Sequence, residues 1–164
     1  MTIQIEPIQL VHVEQFHAVL DAVASERKYL PVFRAPSLEQ MHTFVEHTIA
    51  TEQPQFVALH KGRVVGWCDI LARSDPIREH VGTVGMGLLH DYRGKAIGRR
   101  LLVRTLEAAN SFGFRRIELK VRASNAAAIG LYNSLGFTEE GRLKDDVLID
   151  GAFDSTVCMA FFPS

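Results

Sequence analysis

The chain has 164 residues, a formal net charge of −1, 23% charged and 47% hydrophobic residues, and a mean hydropathy of +0.05. That size and apolar content suit a single domain over residues 1–164 with a buried core, and no apolar run approaches the about 20 residues of a membrane-spanning helix. Met1 to Leu10 lacks the basic flank and apolar core of a leader, and the only two cysteines, Cys68 and Cys158, lie far apart, so the expectation is a cytoplasmic chain with reduced thiols and no membrane partner.

The near-neutral average hides a segregation of charge. Residues 1–92 carry seven Lys/Arg against eleven Asp/Glu, residues 93–122 nine against two, and residues 123–164 two against six. Half of the basic residues therefore fall in 30 consecutive positions. That concentration fits a compact polyanion better than a long nucleic acid, which is not an expected partner.

In chain order, Ile3 to Leu10 alternates as a first strand, and Val13, Phe16, Leu20 and Val23 recur at helical spacing within a helix from about Val11 to Glu26. Pro31 and Pro36 make Arg27 to Pro36 a loop. Ser37, three residues before Gln40, is a capping box for a second helix carrying Met41, Phe44, Val45 and Ile49. Pro54 ends it. Phe56 to His60 and Arg63 to Ala72 form a hairpin around Lys61-Gly62, and His80 to Leu89 completes a meander. A Gly-punctuated turn, Arg93 to Gly98, opens a helix that stops at Gly113. Arg116 to Val121 is a strand, Asn125 caps a short helix ending by Gly136, and Phe137 starts a last hairpin turned at Asp150-Gly151. The sum is a mixed α/β domain of about seven strands and four helices.

Two segments carry chemistry. Leu88 to Gly98, LLHDYRGKAIG, runs from a strand into a turn at a helix start, where unpaired N–H groups and the helix dipole favour a phosphate. Alone, such a turn often only caps its helix, and neither a Walker loop nor G-x-G-x-x-G is present. Asn125 to Phe137, NAAAIGLYNSLGF, matches N-x-x-A-x-x-L-Y-x-x-x-G-F at every fixed position. Paired with the upstream turn, it resembles the GCN5-related N-acetyltransferase (GNAT) family, whose members move acetyl from acetyl-CoA to amines.

The resemblance implies a mostly antiparallel sheet with splayed central strands and acetyl-CoA as co-substrate. It implies that the N–H groups of Arg93, Gly94, Lys95, Ala96, Ile97 and Gly98 cradle the pyrophosphate, with Arg99 adding positive charge as a further cofactor-binding residue. Met86 and Leu88 would pair with the pantetheine amides, Asn125 would bond that arm, and Tyr132 would face the sulfur as general acid. Gly85 and Gly87 would flank a bulge where the strand leaves its neighbour. Ala96 departs from the family, which usually has Gly there.

An amine must lose a proton to attack. Glu118 is the first candidate base, although related N-terminal acetyltransferases place a glutamate where Lys120 stands. His80, Asp69 or a water chain are the other options. Tyr29, Phe33 and Arg34, on the loop that lines the acceptor pocket in the family, would bind substrate, and Arg34 could hold a carboxylate. His12/His17 and His42/His47 are spaced for different helix faces, so no metal site is expected. The expected activity is transfer to a small primary amine such as an amino acid; a peptide N-terminus, or a non-catalytic acetyl-CoA-binding module, are the alternatives. Val157, Met159, Phe161 and Phe162 would supply a homodimer interface.

Overall fold

The structure, a computed structural model, describes residues 1–164. Strand β1 (Ile3–Pro7) passes through a 3-10 turn at Leu10–His12 into α1 (Val13–Ser25). The last ladder bond runs from the Ile8 N–H to Gln55 O at 3.0 Å, and the 3-10 turn takes over from there, so β1 stops short of Leu10. Helix α2 (Leu38–Ala50) starts at the expected box: Ser37 Oγ accepts from the Gln40 N–H at 3.1 Å, and Gln40 Oε1 accepts from the Ser37 N–H at 3.0 Å. The meander is β2 (Gln55–His60), β3 (Arg63–Ala72) and β4 (Val81–Leu88). Then come α3 (Ile97–Phe112), β5 (Arg116–Arg122), α4 (Ala126–Ser134) and the hairpin of β6 (Thr138–Ile149) and β7 (Ala152–Phe161). Both hairpin turns, Lys61-Gly62 and Asp150-Gly151, have positive φ at each central residue, the signature of type I′.

One seven-stranded sheet results, in the order β1-β2-β3-β4-β5-β7-β6. Alternation sorts its side chains into two cores. Phe16, Val23, Val45, Val57 and Trp67 pack beneath α1 and α2 on one face. Cys68, Ile70, Leu101, Leu102, Ile117, Leu119, Tyr132 and Met159 pack beneath α3 and α4 on the other. Each fully buried aliphatic side chain contributes about 1.5–3 kcal/mol. No helix is long and apolar enough to cross a membrane.

The sheet has one weak line. Strands β4 and β5 run parallel and pair only over Val81–Thr83 with Arg116–Glu118. Beyond that β4 continues to Leu88 and β5 to Arg122 without contact in register, so a seam opens between them, as the splayed reading expected.

Two expectations need correcting. Between β3 and β4 the register is unbroken from Ala72↔Gly82 to Gly66↔Leu88, so Gly85 and Gly87 flank no bulge. They are glycines because a Cβ at Gly85 would lie 2.9 Å from Asp69 Oδ1, and one at Gly87 2.5 Å from the Trp67 ring. Likewise, Val157 and Met159 are buried in this chain's own core, which removes them from any interface with a second copy.

Candidate active site

At the head of α3, Gly94 and Ala96 both adopt left-handed backbone, with φ 73° and 63°. Residues of that handedness curl the chain into a concavity lined by N–H groups. From Gly94 to Arg99 no N–H finds a backbone acceptor, and the ladder of α3 begins with the Arg100 N–H donating to Ala96 O at 3.1 Å. Six consecutive donors are thus left without backbone acceptors at the positive end of the helix, a fit for a diphosphate.

The Arg93 N–H is not among them, because it donates to His90 O at 3.2 Å. Its side chain also turns away from the concavity. The guanidinium grips both carboxylate oxygens of Glu26, donates to Leu88 O at 2.7 and 3.0 Å, and lies 4.7 Å from the Tyr29 ring centre. That hydrogen bonding holds the Glu26 carboxyl below the usual carboxylate range. Lys95 donates to Asp91 O, Arg99 to Ser134 Oγ and Arg100 to Ile3 O, so the basic cluster is tethered around the concavity.

From there a cavity of about 350 Å³ runs along the seam. It brings together Tyr29, Met86, Leu88, Arg93, Gly94, Ala96, Ile97, Gly98, Arg99, Asn125 and Tyr132. A Cβ at Gly98 would meet Leu88, Met86 and Leu131 at ordinary contact distance, 3.5–3.8 Å. Leu89 donates to Val65 O. In an antiparallel ladder the alternate residues then aim their N–H and C=O the other way, so Met86 and Leu88 present theirs to the seam. The Leu88 carbonyl is already taken by Arg93; the Leu88 N–H and both Met86 groups remain, ready for an extended amide chain.

Two side chains complete this wall. Asn125 Oδ1 accepts from the Ala128 N–H at 3.2 Å and caps α4, which leaves its NH₂ for another acceptor. Tyr132 is 8% exposed. Burial, with the Cys68 thiol beside it, pushes the phenol far above its ordinary range, so it stays a proton donor at neutral pH.

Other expected residues lie elsewhere. The structure does not bring Glu118 to this cavity: it bonds Arg73 Nη1 at 3.1 Å and Arg116 Nε at 2.9 Å at the paired end of the seam. His80 lies at that end too, its carbonyl accepting from Arg115 and Arg116. Phe33 and Arg34 are on the exposed loop, where Phe33 stacks under the Arg27 guanidinium at 3.8 Å. Lys95 sits outside the lining. A second groove of about 740 Å³ adjoins the cavity at Tyr29, Asn125 and Ala127 and continues past Lys28, Arg122 and the β6–β7 turn.

Sequence reasoning missed two supports of this site. Glu26 holds Arg93, and Arg122 donates to Arg27 O and Leu30 O, fastening the α1–α2 loop over the seam. Both contacts bridge 67 or more residues, a separation that no local pattern signals.

The N-alpha-acetyltransferase RimI of Mycobacterium tuberculosis is 37% identical over 93 residues, 56% of each chain. The [Ribosomal protein bS18]-alanine N-acetyltransferase of Escherichia coli K12 is 49% identical over 49 residues, 30% of this chain and 33% of that one. The chain spans about half the length, or less, of the curated relatives it matches. The yncA structure from Salmonella typhimurium, a putative acetyltransferase with its cofactor acetyl-CoA, superposes with a TM-score of 0.94 at 19% identity, covering 100% of this chain and 95% of that one. At that identity the match concerns the fold. The model of the Acetyltransferase (GNAT) family matches residues 20–137, and the chain belongs to that family.

Proposed function

We propose that the protein transfers acetyl from acetyl-CoA to the primary amine of a small molecule, with an amino acid as the acceptor class. The observation that carries the reading is the run of six free N–H groups opening onto an unpaired stretch of β4. Acetyl-CoA is a diphosphate at one end and an extended diamide at the other, and the site has that order. The Gly94 to Arg99 amides hold the diphosphate, and Met86 and Leu88 pair with the arm as an added strand would. Asn125 donates to the arm from the α4 side. Tyr132 gives its proton to the departing sulfur, a thiol of pKa about 8.5 that leaves more readily when protonated.

For the acceptor, the adjoining groove supplies Lys28, and Lys120 stands exposed on β5 with no ion pair. Free cations of this kind suit an amine that also bears a carboxylate. Acetylation of a peptide N-terminus is the second reading, favoured by the ribosomal-protein relative over its 49 matched residues. Lys120 weighs against it, because enzymes of that branch resemble this strand but carry a glutamate there.

Calorimetry with acetyl-CoA, followed by thiol release over a panel of free amino acids, polyamines and alanine-initiated peptides, tests the reading. Saturable heat and release with amino acids are expected. Absence of heat overturns it, heat without release on any amine leaves only a binding module, and release confined to peptides selects the second reading.

A further inference from the structure

Acetyl transfer needs a proton acceptor, and Glu118 is engaged with two arginines away from the cavity. Register identifies another carboxylate. Asp69 pairs with Gln55 on one side and with Gly85 on the other. Two residues past the last β4–β5 pair, Thr83↔Glu118, Gly85 stands level with Lys120 across the open seam. Gln55, Asp69, Gly85 and Lys120 therefore form one row across the sheet. An arm entering at the Gly94 turn and passing Leu88 and Met86 would reach this row, about 10 Å along β4 from Leu88, with Gly85 and Asp69 next after the residues of β4 that line the cavity.

Asp69 alternates with Cys68 and Ile70, which point into the α3–α4 core, so its carboxylate is on the opposite face from Tyr132. Its Oδ1 lies 2.9 Å from where a Gly85 Cβ would be, so the missing side chain lets the carboxylate cover β4 at the lip of the seam. Asp69 is 7% and Gln55 2% exposed. Gln55 Nε2 donates to Asp69 Oδ2 at 3.3 Å, while Gln55 Oε1 is buried without any partner. Beside a buried carboxylate, a second acceptor with nothing to accept from complements a group that only donates. An ammonium is such a group.

We propose that Asp69, laid over Gly85 at the head of the seam, takes the proton from the acceptor amine, with Gln55 as its positioning residue. The inference rests on the acetyl-transfer reading and deepens it. The ammonium gives one proton to the Asp69 carboxylate, and the freed lone pair forms the N–C bond to the acetyl carbon. The C–S bond breaks with its electron pair going to sulfur, which takes the Tyr132 proton. The new amide nitrogen sheds its remaining extra proton to the Tyr132 oxygen, and Asp69 loses its own to water.

The electrostatics agree. Burial lifts the Asp69 carboxyl to about 7, against partial relief from the Gly85 N–H, which places it where a base works best near neutrality. No charged side chain contributes to that shift. The groups in contact with Asp69 are Gln55 from β2 and the Gly85 backbone from β4; Lys120 is exposed at the matching position of β5 across the seam. Its chain neighbour Cys68 is held as a neutral thiol by burial.

The test is the pH dependence of kcat/KM for the best acceptor whose own amine titrates above about 9. Wild type should show a rising limb near pH 7. Asp69→Asn should bind acetyl-CoA within about 2-fold of wild type by calorimetry, lose about 100-fold in transfer at pH 7.5, and recover only as the amine itself deprotonates. Gly85→Ala, whose methyl displaces the carboxylate, should lose transfer similarly, and Gln55→Leu should move the limb to higher pH. A wild-type profile with no limb near 7, or a wild-type rate and limb retained in either Asp69→Asn or Gly85→Ala, overturns the proposal. A wild type that turns over no amine sinks acetyl transfer itself, a separate outcome.

Discussion

Arg93 and Glu26 form a two-pronged ion pair that ties the turn before α3 to the end of α1. The same guanidinium holds Leu88 O and stacks on Tyr29, so one side chain connects the diphosphate loop, the last residue of β4 and the acceptor loop. Arg93→Ala leaves a half-buried carboxylate and a carbonyl without their donor, and should lower stability by about 2 kcal/mol. Acetyl-CoA affinity should fall at least several-fold, since the loop loses its anchor. Lysine cannot reproduce the fork, so Arg93→Lys should not rescue either property. Glu26 has a depressed carboxyl, so the pair's contribution is present above about pH 4.5 and is lost as pH falls through the lowered value. Acid titration of unfolding for wild type and Arg93→Ala checks this, and equal acid sensitivity would refute it.

Ala96 holds a left-handed conformation at φ 63°, where an L-residue carries about 1–2 kcal/mol of strain. Its N–H is one of the six that form the concavity, so the strained geometry is the binding geometry. Ala96→Gly removes the strain but adds about 0.4–1 kcal/mol of unfolded-chain freedom. The net expectation is a gain of about 0.5–1 kcal/mol, a rise of about 1–3 °C in Tm for a chain this size, with acetyl-CoA bound equally or more tightly. A drop in Tm would mean that the Ala96 methyl makes contacts that outweigh the backbone term.

These two residues illustrate what was legible beforehand. Nearly all elements followed from local signals: the Ser37–Gln40 box, the Asp150-Gly151 turn and the change from period two to period 3.6 after Leu89. The Asn125 to Phe137 motif and the turn at Gly94 marked the cavity. Partners far along the chain left no such trace. Arg93 read as a phosphate ligand because its carboxylate is 67 residues away, and Glu118 read as a base because Arg73 is 45 residues away. Gly85 and Gly87 were visible as glycines in a strand, but a bulge and a close approach by Asp69 and Trp67 leave the same signature.

Tyr132 and Glu118 should behave oppositely on mutation. Tyr132→Phe removes the hydroxyl proposed to protonate the sulfur and keeps the ring that packs 5.7 Å from Phe137. Turnover should fall about 100-fold or more while the calorimetric affinity for acetyl-CoA changes little; near-normal turnover would exclude the role. Glu118→Gln breaks contacts to Arg73 and Arg116 that are partly exposed, and should lower stability by no more than about 1 kcal/mol. Its pH–rate profile should overlay that of wild type. Loss of the limb near 7 in this variant would return the base role to Glu118.

Asp69 also predicts how stability varies with pH. Its folded carboxyl titrates near 7, against about 3.9 in an unfolded chain, so between those values the folded state holds the extra proton. Stability must then fall as pH rises from about 4 to 7 and stay reduced above, because the buried site resists ionisation. Over about 3 pH units, at about 1.4 kcal/mol per unit, the penalty is on the order of 4 kcal/mol. Asp69→Asn keeps the shape and removes the charge, so it should match wild type near pH 4 and be more stable by up to about 4 kcal/mol at pH 8. A variant that is inactive yet gains stability over wild type as pH rises from about 4 to 7 is what a base buried for function requires. Urea unfolding of both proteins at pH 4.5 and 8 decides it: a gap of the same size at the two values would mean that Asp69 titrates in the folded chain as it does in water.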